Sequence, residues 1–222
     1  MSLASIAFVP MAPLLIPEVA GGSAALDQEL RAASLDVVAR ALASGPDEVV
    51  VVAAVPTPGS WTESSTWDFA GFGVARIPTD PRMRLPWPLG IGAWLLDECG
   101  WNGSRRYVGV DRSTAAEALP DERVRSIVVV GDGSARQSER APGHLDERAE
   151  RYDDAVADLL ARGDVVGLSE LDDALATDLM CGAPPAWRWI AALIDGEPVT
   201  DAELVTHAAP YGVGYFVALW SF

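Results

Sequence analysis

Three short apolar runs constrain this chain more than any other feature: residues 5–9, 48–55 and 125–130 are rich in valine and isoleucine, and Pro10, Pro56 and Gly131 close them. None alternates apolar with polar residues, as a strand with one wet face does. Such runs read as strands buried on both faces, and that in turn requires a parallel sheet covered by helices. Residues 213–220 supply a further, closing strand. Helical spacing fills the gaps. Leu26, Leu30, Val37, Val38 and Leu42 form one stripe, stopped by Ser44-Gly45-Pro46. A second helix is predicted after Ala141-Pro142-Gly143, opened by His144, with Leu145, Ala149, Tyr152, Val156 and Leu159 on one face. Asp146 and Glu147 suit its positive end, and Gly163 ends it. Pro184-Pro185 opens a third over 186–194, and 89–99 reads as a fourth. Residues 56–88 lack periodicity and read as a long excursion over the sheet, in which Trp61, Trp67 and Trp87 form either a pocket wall or the segment's own core. The expected fold class is α/β: a single layered domain over residues 1–222, with a central, mostly parallel sheet and helices on both faces.

Composition narrows the function. With 222 residues, 50% hydrophobic, the chain can bury the core of one such domain. Sixteen basic against 32 acidic residues give a formal charge of -16, a surface that repels phosphate backbones, so nucleic acid is not an expected partner. Every basic residue is arginine. The absence of lysine excludes a Walker-type phosphate loop, a pyridoxal Schiff base and a lysine general base. Cys99 and Cys181 show no metal or disulfide spacing, so a reducing, cytoplasmic setting is expected. The apolar stretch 6–16 is broken by Pro10 and Pro13 and falls short of the roughly 18 residues of a membrane span, so neither signal peptide nor anchor is expected.

Ligands of open α/β sheets gather at the carboxyl ends of the strands. Those ends carry Pro10-Met11-Ala12-Pro13, Pro56-Thr57-Pro58-Gly59 and Gly131-Asp132-Gly133-Ser134-Ala135, which between them offer a thioether, hydroxyls and a single carboxylate. Asp132 and Ser134 are the best polar candidates. Their turn either presents N–H groups to an anion or satisfies itself through its own side chains. Ser134 lacks the Gly-x-Ser-x-Gly elbow of a hydrolase. His144 and His207 lie too far apart for any metal spacing to be read.

Residues 5–18, Ser-Ile-Ala-Phe-Val-Pro-Met-Ala-Pro-Leu-Leu-Ile-Pro-Glu, resemble the opening of LigB-like class III extradiol ring-cleavage dioxygenases, a superfamily that includes the MEMO-like proteins. Gly131-Asp132-Gly133-Ser134-Ala135-Arg136, with Ala141-Pro142-Gly143-His144-Leu145-Asp146 and Tyr152-Asp153, resembles that family's Gly-Asp-x-Ser-His segment and the helix after it. Ala209-Pro210-Tyr211-Gly212-Val213-Gly214-Tyr215 is similar to the family's ending. The resemblance implies the LigB-like fold and a ferrous ion held by two histidines and a glutamate, with a further histidine as acid/base. At the implied positions this chain has Met11, Thr57 and Ala208 for the ligands and Ala135 for the acid/base. A thioether, a hydroxyl and methyl groups are not donors that ferrous iron prefers, so the expectation is a family member without the iron site, a pseudoenzyme. It would bind a small molecule, aromatic compounds being the class the family handles, around Asp132, Ser134, His207 and Tyr211, or serve as an interaction protein. The alternative is an active ring-cleavage dioxygenase or hydrolase with ferrous iron on relocated ligands: His144, His207 and an acid such as Glu18 or Asp132.

Overall fold

A computed structural model describes residues 2–21, 25–74, 83–116, 122–194 and 196–222. The buried runs form the centre of a seven-stranded sheet. Its strands are β1 (Ser2–Val9), β2 (Glu48–Ala54), β3 (Gly59–Thr62), β4 (Ser104–Val110), β5 (Val124–Val130), β6 (Asp201–Ala208) and β7 (Tyr215–Ser221), in the spatial order β3-β4-β2-β5-β1-β7-β6. The four neighbours β4, β2, β5 and β1 are parallel; β3 and β7 run antiparallel to them, and β6 pairs antiparallel with β7. Along β1, β2 and β5 successive side chains enter opposite cores. Ile6, Phe8, Val50, Val52, Ile127 and Val129 face one, and Ala7, Val9, Val49, Val51, Val128 and Val130 the other, which is why these strands show no alternation of polarity.

The second of these cores is closed by α2 (Ala25–Ala43) and α3 (Trp87–Glu98), after a single turn, α1 (Pro17–Ala20). The first is closed by α4 (Ala149–Arg162), α5 (Val165–Ser169), α6 (Asp173–Asp178) and α7 (Pro184–Ile194). The architecture is therefore a single α/β domain with helices on both faces of a mixed sheet whose central strands are parallel. The side chain of Leu26 lies outside the described residues; Leu30, Val37 and Val38 of the α2 stripe are buried as expected. Among the described residues no helix is long and apolar enough to cross a membrane.

Two departures from the sequence reading have local causes. Strand β4 opens with Arg105 and Arg106, whose guanidinium groups reach Asp97 at 2.5 Å and Glu48 at 3.4 Å while the strand goes on into Tyr107 and Val108, so its polar start hid a strand. Helix α4 begins at Ala149, so His144 does not open it. His144 has a φ of 60° in an exposed turn, and Leu145 beside it is 44% exposed. Of the two readings of the excursion's tryptophans, the segment's own core holds for Trp67 and Trp87: Trp67 donates to Asp97 Oδ2 at 2.8 Å, and a chain of ring contacts runs from Trp67 through Phe69 and Phe72 to Trp87.

Charge is distributed unequally along the strands. At the amino edge, Arg125 is fully buried and donates to Glu48 Oε2 at 2.7 Å, with Arg106 and Arg123 also within reach of that carboxylate. The carboxyl edge carries acids of a different kind.

Candidate functional site

At the carboxyl edge, β1 and β5 are neighbours, and the Gly131 amide donates to the Val9 carbonyl as the last rung between them. The chains then part, and Asp132 bridges the gap: its Oδ1 accepts the Met11 amide proton at 2.6 Å. No described residue bonds Oδ2, which is not sealed from water. Burial pushes this carboxyl up to about 7, against the pull of the Met11 amide and with help from the negative charge of Asp153. A half-buried carboxyl with one oxygen tied and the other open is a polar anchor for a ligand that brings a proton donor.

The turn that carries Asp132 does hold an anion, but an internal one. Asp153, fully buried on α4, accepts the Ser134 amide at 2.8 Å, the Ser134 hydroxyl at 2.5 Å and the Gln137 side-chain amide at 2.5 Å. Both donors of Ser134 are thereby committed, and its role is structural. Two glycines make room for that carboxylate. A Cβ on Gly133 would stand 2.5 Å from Asp153 Oδ1, and one on Gly214 would stand 2.3 Å from Oδ2. The two glycine segments are also laced to each other: the Gly133 amide donates to the Gly214 carbonyl at 2.7 Å, Gly214 to Ser134 at 2.8 Å and Gln137 to Gly212 at 3.0 Å. Motifs that lie far apart in sequence thus form one clamp around one carboxylate.

Cys181 stands beneath Asp132, its thiol donating to the Asp132 carbonyl at 3.4 Å, and burial pushes that thiol up to about 12. It is a packing thiol, not a nucleophile. The Tyr152 hydroxyl is buried with no hydrogen-bond partner, and burial, with the neighbouring Cys181, raises its pKa well above the usual tyrosine range.

The remaining residues singled out by sequence fall into two groups. Met11 joins Asp132 directly, and Tyr211 donates its hydroxyl to Asp27 Oδ1 at 2.7 Å, strapping the β6–β7 turn to α2. Thr57 lies exposed beyond β2 at the same edge of the sheet, and Ala208 ends β6 opposite Tyr215. His207 is directed elsewhere. Strand alternation sends it to the α4 face, where it stacks on Phe216 at 5.0 Å with its Nδ1 3.9 Å from Asp154, while Thr206 and Ala208 face a hollow against α2. Ala135 is held on the far side of the turn, where its amide donates to the Leu179 carbonyl and its own carbonyl accepts from the Gly143 amide.

Neither the implied nor the relocated iron site is built. Met11, Thr57, Ala208 and Ala135 provide no imidazole or carboxylate, and the residues do not fit a ferrous ion. His144 lies in an exposed turn, His207 on the α4 face, and Glu18 exposed on α1, so the three do not join Asp132. Among the described residues no group of three or more His, Cys, Asp or Glu side chains is arranged to hold a metal ion.

Sequence reasoning missed Glu29, and it named Asp153 and Tyr215 only within family-like motifs, with no role of their own. For Asp153 a signal existed: it lies four residues after Ala149 and three before Val156, on the buried stripe of an amphipathic helix where a carboxylate needs donors. Glu29, Leu30, Thr206, Ala208, Pro210 and Tyr215 line the hollow, about 90 Å³ in volume, between α2 and the β6–β7 hairpin. The chain matches no protein-family model and no curated protein.

Proposed function

We propose that this chain is a small-molecule-binding protein of LigB-like descent that works without the family's iron, taking its ligand in the crevice at the carboxyl edge with Asp132 as the polar anchor. One observation carries the reading: Asp132 spans the parting of β1 and β5 with Oδ1 on the Met11 amide and Oδ2 unpartnered, the place and posture of a ligand-binding group in an open α/β sheet. The clamp around Asp153 supports the descent, because it gives the glycine motifs a use that survives loss of the metal ligands.

The test is a melting-temperature screen of metabolites and phenols on the wild type and on Asp132→Asn, with metal analysis and oxygen uptake on catechols after iron loading. A ligand at a hundredfold excess over Kd stabilises the fold by about 2.7 kcal/mol. The expected result is a compound that raises Tm in the wild type and not in the variant, with no oxygen consumption. Equimolar iron that survives purification together with catechol cleavage would overturn the reading, as would a screen in which no shift depends on Asp132.

A further inference from the structure

We propose that the hollow between α2 and the β6–β7 hairpin binds an organic ammonium ion, seated on the Glu29 carboxylate and the Tyr215 hydroxyl. The inference rests on the reading of the carboxyl edge as a binding crevice and names the ligand's charge.

Tyr215 is the first observation. The residue is only 5% exposed, it lines the hollow, and no described residue bonds its hydroxyl, which is nonetheless not sealed from the hollow. An unpartnered hydroxyl on a buried tyrosine is costly unless a partner arrives from outside. Burial, with the carboxylates of Asp132 and Asp27 nearby, holds its proton well above the usual tyrosine range, so the group stays a neutral hydroxyl with lone pairs to offer.

Charge is the second. Glu29 is the one charged residue lining the hollow, Asp27 lies two residues before it, and Asp132 stands close enough to act on Tyr215. No lining residue is basic. Arg31 is engaged with the carbonyls of Leu14 and Leu15, and Arg40 with Asp36 and Glu203. The turn amides that would favour an anion are spent on Asp153 and on the carbonyl of Gly214. A carboxylate or phosphate entering this space would meet only like charge. An ammonium group would pair with Glu29 and donate to Tyr215.

Size and walls complete the fit. At about 90 Å³ the hollow takes a headgroup of a few heavy atoms, and Leu30, Ala208 and Pro210 offer apolar contact to the methylenes attached to it.

The experiment is an NMR titration of the ¹⁵N-labelled full chain with propylammonium, propan-1-ol and propionate at constant ionic strength. Propylammonium is expected to give saturable shifts confined to the start of α2 and the β6–β7 hairpin, with an affinity at least about tenfold above that of propan-1-ol and no binding of propionate. Glu29→Gln is expected to weaken propylammonium about tenfold, and Tyr215→Phe several-fold, both in chains whose circular dichroism is unchanged. Equal binding of the alcohol or the carboxylate, indifference to Glu29→Gln, or non-saturating shifts scattered over the acidic surface would overturn the proposal. Should these probes fail while an Asp132-dependent compound still raises Tm, the ammonium site falls and the crevice reading stands.

Discussion

Asp132→Asn separates the charge of the side chain that bridges β1 and β5 from its shape. The amide oxygen still accepts from Met11, but the group no longer ionises. In the wild type the folded carboxyl titrates at about 7 against an ordinary 3.8, because burial disfavours its charged form. The native state therefore holds this proton more tightly than the unfolded chain does. The stability this contributes is complete below the unfolded value and is lost as the pH rises through about 7. Between about pH 5 and about pH 8 the loss is roughly 2 to 3 kcal/mol at ~1.4 kcal/mol per unit, a ceiling set by the water that reaches Oδ2. Urea unfolding of the two proteins at both pH values is the assay. The variant is expected to match the wild type or fall slightly below it near pH 5, and to exceed it by about 2 kcal/mol near pH 8. Parallel pH profiles would refute the reasoning, since Asp132 would then be an ordinary solvated carboxylate.

Three further changes probe the frame around that side chain. Asp153→Ala strands the Ser134 amide, the Ser134 hydroxyl and the Gln137 side chain, and is expected to cost about 3 kcal/mol or more by urea unfolding; a loss below about 1 kcal/mol would show that water replaces the carboxylate freely. Gly133→Ala drives a methyl group to 2.5 Å from Asp153 and 2.7 Å from the Phe216 ring, and is expected to lower stability by about 1 to 3 kcal/mol, read from the same unfolding curves. Glu48→Leu removes the buried carboxylate that accepts from Arg125 at 2.7 Å and is expected to cost about 1.5 to 3 kcal/mol, with unchanged stability refuting the pairing.

The parts of the fold legible in sequence are those where burial is uniform. Strands β1, β2 and β5 are apolar on both faces because helices cover both, and a run of valines between a helix stop and a proline has few other destinies. Strand β4 was hidden because Arg105 and Arg106 satisfy their charges on Asp97 and Glu48, contacts that cross from strand to helix and from strand to strand. Strand β6 was hidden because it is an edge, half-exposed along its length. At the site, Asp132 was legible as the lone carboxylate on a strand-end turn, and of the two readings left open for Ser134 the structure is nearer the internal one, its donors pointing inward to Asp153. No sequence pattern could have brought Glu29 and Tyr215 to one hollow, which they line only because β7 returns beside β1 after the whole chain has been laid down.

The clamp around Asp153 bears on how motif resemblance should be weighed. Gly133, Ser134, Gln137 and Gly214 all serve one buried carboxylate and the two turns that enclose it, and none of them needs a metal or a substrate to be required. Such a motif can persist wherever the turn geometry does, so its presence argues for architecture and not for chemistry. The argument for chemistry must come from groups the architecture leaves unsatisfied. At the amino edge Glu48 is surrounded by arginines, and among the described residues the group left without a partner there is a donor already cationic, the buried Arg106 Nε. At the carboxyl edge Asp132 keeps an open oxygen and Tyr215 an unpartnered hydroxyl, with Glu29 alongside and no basic residue lining the hollow. On the proposed reading, acids that are paired at one end of the sheet and, among the described residues, lack a basic neighbour lining the hollow at the other favour a cationic ligand there.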